Sequence, residues 1–146
     1  MGAWVHGSMS MHLASSDAET RAAGRALAAD ITPGTIVLLY GDLGAGKTVF
    51  VRGLAEGLGL DPDAVSSPTF TIVQEYRGQA LTLQHVDLYR LSPREVEDLA
   101  LEDLLSASTV MAIEWAERLD VMPRGPVVEV RLEHDGDARR ISVTPA

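Results

Sequence analysis

Gly41, Asp42, Leu43, Gly44, Ala45, Gly46, Lys47 and Thr48 fit the spacing G-x-x-x-x-G-K-[ST], the loop that wraps the phosphates of a nucleoside triphosphate. The chemistry asks for these residue types. Gly41, Gly44 and Gly46 carry no side chains that would keep backbone amides from converging on phosphate oxygens. Lys47 can reach the β and γ phosphates, and the Thr48 hydroxyl can take one coordination position on Mg²⁺. Of the 12 Lys and Arg side chains, Lys47 is the only lysine. A compact ammonium on a flexible stem is thus kept at the one place where a planar guanidinium would not serve.

A phosphate loop also needs an acid at the end of a neighbouring strand, to hold Mg²⁺ directly or through water, or to orient a nucleophile. Two carboxylates qualify. Glu114 follows the apolar run Thr109-Val110-Met111-Ala112-Ile113, and in open α/β sheets the ligand gathers at the carboxyl ends of strands. Asp87 ends a second extended run, in His85-Val86-Asp87-Leu88-Tyr89-Arg90. His85 by itself reads as structural; Trp115 reads as a packing residue, with a site wall or an interface as alternatives. Ser66, Ser67 and Thr69 bring hydroxyls to a Pro-containing loop where γ-phosphate chemistry could occur, and a plain connector explains that loop equally well. Guanine-reading loops use an Asn/Thr-Lys-x-Asp element; with no asparagine and no second lysine, the chain is expected to prefer ATP to GTP.

These groups need elements to position them. The β-branched apolar run Thr35–Tyr40 is expected as a buried parallel strand ahead of the loop. Behind it a helix from Lys47 to Leu58 places Phe50, Val51, Leu54 and Leu58 on one face and stops at Gly57 and Gly59. Ser16 and Glu19 have capping-box spacing for an earlier helix, with Ala23, Leu27 and Ile31 inward, ending before Pro33-Gly34. Phe70–Tyr76 and Ala80–Tyr89 flank Arg77-Gly78 as an antiparallel hairpin. Ser92-Pro93-Arg94-Glu95 opens a helix predicted to run to about Leu105, whose acidic face is read as solvated rather than as a docking surface. Two last strands, Val127–Leu132 and Arg139–Val143, surround a turn at His134–Asp137. The fold class expected is α/β: a P-loop NTPase-like three-layer fold, with a mostly parallel central sheet, an antiparallel hairpin and helices on both faces. Residues 1–12 are read as an N-terminal extension, partly foreign to the native start, and residues 13–146 as one domain.

Composition sets bounds on partners. The formal charge is −9, from 21 acidic and 12 basic side chains, and no basic cluster exceeds the pair Arg139–Arg140. A surface that binds a phosphate backbone alone needs a basic stripe, so direct nucleic-acid binding is not expected. The absence of cysteine, of a signal-peptide pattern and of a membrane-length apolar run is read as a cytoplasmic chain with no membrane role.

GDLGAGKT, SSPTFTIVQEY, HVDLYRL and IEW, in this order and spacing, resemble the TsaE (formerly YjeE) family of bacterial ATPases, from Leu13 to the C-terminus. That resemblance implies an ATPase subunit supporting N6-threonylcarbamoyladenosine formation at position 37 of tRNAs reading codons that begin with A. It implies TsaB and TsaD as partners, with tRNA met only through them. Carried over by motif, Lys47 and Thr48 match the phosphate and Mg²⁺ residues, and Glu114 the second Mg²⁺-site residue. Asp87 resembles the family's other required acid, and Thr69 falls in a switch-like loop beside the γ-phosphate. Asp17 and Arg139 match regions bordering the adenine. Two other readings stand beside an ATPase: a nucleotide-gated assembly module with incidental hydrolysis, and a small-molecule kinase, against which the missing lid and acceptor segment argue.

Overall fold

In a computed structural model, residues 9–42, 44–68 and 71–145 of the chain are described. Leu43 and Thr69, both expected at the site, lie outside them.

The run expected as the core strand forms β2 (Ile36–Tyr40), with Ile36 to Leu39 all fully buried. Around it a seven-stranded sheet is ordered β1-β7-β6-β2-β5-β4-β3, the other strands being β1 (Ser10–Ala14), β3 (Val73–Arg77), β4 (Thr82–Asp87), β5 (Thr109–Glu114), β6 (Val127–Asp135) and β7 (Ala138–Pro145). The inner four, β6, β2, β5 and β4, run parallel. The outer pairings β1–β7, β6–β7 and β3–β4 are antiparallel. The sheet is therefore mixed rather than mostly parallel. The difference comes from the two ends of the chain: β1 and the tight hairpin β6–β7 extend one edge antiparallel, while the expected hairpin β3–β4 closes the other.

Alternation along the inner strands divides the core. Val37, Leu39, Val110 and Ala112 face a cluster with Leu27 of α1 (Asp17–Ala28) and Phe50, Val51 and Leu54 of α2 (Lys47–Gly57). Ile36, Leu38, Met111 and Ile113 face a second cluster with Val96 of α3 (Pro93–Asp98) and Leu101. Helices thus contribute to both clusters, two long ones on one side and a short one on the other.

Several features differ from the sequence reading. Ser10–Ala14, which spans the expected boundary between residues 12 and 13, is a strand paired with β7 from Ser10↔Val143 to Ala14↔Arg139. The helix predicted to reach Leu105 ends at Asp98; Ala100 turns left-handed (φ 50°), and the chain resumes as a 3₁₀ turn, Leu101–Leu104. That turn puts Leu101 into the second cluster, which an uninterrupted helix gives no reason for. The expected capping box at Ser16 is displaced by one residue in one arm. Ser16 accepts the Glu19 amide at 3.2 Å, but the Glu19 carboxylate takes the amide and hydroxyl of Ser15 instead. At Ser92 both arms of the box are made.

Helices α1 and α2 meet through glycine. A Cβ on Gly53 would lie 1.9 Å from the Arg21 carbonyl oxygen, and one on Gly24 would lie 2.2 Å from that of Phe50. Close backbone approach of this kind fixes α2, and with it the loop that starts α2. In an open helix Gly→Ala gains about 0.5–1 kcal/mol; here the overlap is with backbone that cannot move aside. Gly53→Ala is expected to lower stability by about 1–3 kcal/mol, the usual range for an overpacked site, in urea-denaturation midpoints. A neutral or stabilised variant would mean the helices are free to separate.

Candidate active site

Strand β2 ends at Tyr40, and the chain turns through Gly41 into the phosphate-type loop and α2. Gly46 has φ 98°, a left-handed conformation that favours glycine, and as N-cap of α2 it offers no side-chain acceptor to the first amides of the helix. Those amides and the helix dipole present positive potential to an anion. Gly41 is needed for a second reason: a Cβ there would stand 2.5 Å from the Leu132 carbonyl oxygen on β6. From β7, Arg139 holds the loop, Nε donating to the Ala45 carbonyl at 3.1 Å and a terminal nitrogen to the Gly44 carbonyl at 3.0 Å. Sequence reasoning placed Arg139 near the adenine and did not find this clamp; only the register of β7 brings it to the loop.

Lys47 is 5% exposed. Its ammonium donates to the Gly41 carbonyl and, at 3.1 Å, to that of Asp42, and it lies 4.3 Å from the centroid of the Trp115 ring. Burial pulls its pKa below the ordinary lysine value of 10.5, against an opposing pull from the carboxylates of Glu114, Glu117, Asp87 and Asp42.

Register brings the two acids together. Asp87, the last residue of β4, is paired with Glu114, the last of β5, and Glu114 is in turn opposite Leu39 of β2. Asp87 is 3% exposed and Glu114 4%. The Thr48 hydroxyl donates to Glu114 Oε2 at 3.0 Å, so the hydroxyl and carboxylate expected to serve a metal are in direct contact. Asp87 Oδ1 accepts the Tyr89 amide at 2.8 Å, which fixes the carboxylate beside the turn leaving β4. His85 is fully buried, its Nε2 2.6 Å from the same Glu114 Oε2. Read alone as structural, this histidine belongs to the site; the H-x-D spacing on a strand, which puts both side chains on one face, was the available signal.

A cavity of about 380 Å³ opens over these groups and is lined by Asp17, Asp42, Gly44 to Val49, Ser67, Asp87, Tyr89, Glu114, Trp115 and Arg139. Asp17, the first residue of α1, thus reaches the site from a separate element. Trp115 is part of the wall, with left-handed backbone (φ 59°) and its ring 4.8 Å from that of Tyr89. Among the described residues no group of three or more His, Cys, Asp or Glu side chains could hold a metal unaided. One hydroxyl and one or two carboxylates beside a phosphate loop suit Mg²⁺, which takes few protein ligands and fills its sphere with phosphate oxygens and water.

Fold and site define an α/β protein whose glycine-rich loop and two strand-end carboxylates share a cavity. Residues 14–141 match the profile of the family described as threonylcarbamoyl adenosine biosynthesis protein TsaE. Proteins named tRNA threonylcarbamoyladenosine biosynthesis protein TsaE are similar to the chain. That of Bacillus subtilis is 41% identical over 84% of this chain and 76% of its own; that of Rickettsia conorii is 39% identical over 90% and 75%. The crystal structure of YdiB from Bacillus subtilis superposes with a TM-score of 0.77 at 32% identity, covering 94% of this chain and 86% of that one. The chain belongs to the TsaE family.

With one lysine in the sequence, ¹³C-labelled lysine gives one side-chain Cε resonance to follow. Its titration midpoint is expected below 10.5 in the folded protein and near 10.5 in denaturant. The folded protein gives up this proton before the unfolded chain does. Its contribution to stability therefore grows as pH rises through the folded pKa towards 10.5. A folded midpoint at or above the denatured one would mean that the carboxylates outweigh burial.

Proposed function

We propose that this chain is the Mg²⁺-dependent ATP-binding and ATP-hydrolysing subunit for forming N6-threonylcarbamoyladenosine at position 37 of tRNAs reading codons that begin with A. It acts in the cytoplasm with TsaB and TsaD, meets tRNA only through them, and has the three-layer architecture of P-loop NTPases. Membership of the TsaE family assigns it to threonylcarbamoyladenosine biosynthesis. The observation that carries the ATPase reading is the convergence of Lys47, Thr48, Asp87 and Glu114 on one cavity.

Each group has work suited to its surroundings. The amides at the start of α2 and the Lys47 ammonium supply positive charge to the phosphates. Lys47 already has its ammonium stripped of most water, so exchanging the Gly41 and Asp42 carbonyls for phosphate oxygens carries little further desolvation. Thr48 Oγ1, whose proton goes to Glu114, has its lone pairs free for a cation. Thr48 and Glu114 would hold Mg²⁺, which would supply positive charge against that of the phosphates. Asp87, with Oδ1 held by an amide, orients the attacking water or the loop containing Ser67 and Thr69. Asp17 and Arg139 both line the cavity, which supports assigning them to the border of the adenine. A net charge of −9 fits a subunit that leaves tRNA to its partners.

The test separates the two acids. Glu114→Gln is expected to weaken Mg²⁺-dependent binding of a fluorescent ATP analogue as well as turnover with TsaB and TsaD present. Asp87→Asn is expected to leave binding within about twofold and to cut turnover by about 10²-fold or more, as for a group acting mainly in the transition state. The reverse pattern would exchange their roles. Hydrolysis untouched in both would remove the two acids from the chemistry, and no hydrolysis by the wild type with TsaB and TsaD present would remove the ATPase reading and leave a nucleotide-gated assembly module.

A further inference from the structure

Among the described residues, His85 is a buried polar side chain at the site that the proposed chemistry does not use. It is fully buried, yet one nitrogen is 2.6 Å from a carboxylate and the other has no hydrogen-bond partner among the described residues. A buried orphan is costly if it is an N–H and tolerable if it is a bare lone pair. An ionised Glu114 can only accept, so the short contact requires a proton on Nε2. Nε2 is thus the donor in this contact, and Nδ1 meets no hydrogen-bond partner among the described residues.

The second observation is the distribution of donors on Glu114. Thr48 Oγ1 and His85 Nε2 both bond Oε2, and among the described residues no donor bonds Oε1. Glu114 lines the cavity, and Oε1 is not among the buried oxygens left unsatisfied. Register explains how His85 gets there: it is opposite Ala112, two residues before Glu114, and so shares the face of the sheet that Glu114 uses.

We propose that His85 is a positioning residue for Glu114: its Nε2–H pins Oε2 and thereby leaves Oε1 to the cavity, for Mg²⁺ or its water. This rests on the Mg²⁺ site proposed above. A carboxylate with three rotatable bonds and one weak partner, Thr48, would otherwise sample several orientations, and Thr48 must also serve the metal. Partners that orient a metal-binding group from behind typically contribute 10- to 100-fold in metal affinity.

The experiment titrates Mg²⁺ against binding of a methylanthraniloyl ATP analogue, in wild type, His85→Leu, His85→Gln, Glu114→Gln and the double variant His85→Leu/Glu114→Gln. His85→Leu is expected to raise the half-saturating Mg²⁺ concentration by about tenfold or more. His85→Gln, which keeps an N–H donor, should recover most of that loss. In the Glu114→Gln background the leucine change should add no more than about twofold, because the coupled partner is already gone. A role in packing alone would lower thermal stability and leave the Mg²⁺ dependence intact. Should the leucine variant fail to fold, His85→Gln and a long-range ¹H–¹⁵N correlation on wild type decide. The proton must reside on Nε2, and a proton on Nδ1 alone overturns the proposal. So does Mg²⁺ dependence in wild type that is unchanged in a folded His85→Leu. Wild-type nucleotide binding that ignores Mg²⁺ overturns the metal site itself, a different failure.

Discussion

The site depends on one constraint: the register of three neighbouring parallel strands. Leu39, Glu114 and Asp87 form a row across β2, β5 and β4, and the phosphate-type loop begins two residues past Leu39. Side chains alternate along a strand, so a slip of one residue in β4 or β5 would send His85, Asp87 or Glu114 to the opposite face. The register is held by burial on both faces: every residue of β5 is buried, as are five of the six in β4. Burial thus performs the positioning, and the polar groups are carried to the end of the sheet by strands enclosed on both faces.

Concentrating charge at that end has an electrostatic cost, and the local chemistry offsets it. Lys47 is enclosed among carbonyls, an indole face and the carboxylates of Glu114, Glu117, Asp87 and Asp42. Burial dominates its pKa, so the surrounding acids do not fully compensate for lost water. Such a group gains from any ligand bringing further negative charge, which phosphates do. The same acids would repel a polyanion approaching without a cation. The negative charge of the whole chain acts in the same direction.

Much of this was legible in the residues. The loop, β2 and α2 obey local rules of spacing and periodicity, and the hairpin β3–β4 and strand β5 were readable for the same reason. What escaped depends on contacts distant in sequence. β1 has Met11, His12 and Leu13 exposed and so lacks the alternation that marks a half-buried strand; its pairing with β7 is the cause of its form. Alanine gives no signal for left-handed backbone, so the break at Ala100 was invisible. The Arg139 clamp and the His85–Glu114 contact span 94 and 29 residues of sequence. Each becomes visible only once strand order is known. The residue types of the site could be read from the sequence; the partners that hold them could not.

Those partners form a closed circuit around the cavity. Asp87 holds the Tyr89 amide, the Tyr89 ring lies against Trp115, and Trp115 covers the Lys47 ammonium. Lys47 opens the helix in which Thr48 donates to Glu114, and Glu114 is paired across the sheet with Asp87. The left-handed backbone of Trp115 is strained for a bulky residue, on the order of 1–3 kcal/mol, and such conformations persist only where the surroundings impose them. Here the surroundings are the ring of Tyr89, the Lys47 ammonium and the second apolar cluster, against which the indole packs. If phosphates draw the ammonium off the indole, one of the contacts that hold Trp115 is released. Trp115 leads straight into the 3₁₀ turn Ala116–Arg118, so a change in what Lys47 touches has a short covalent path to the surface.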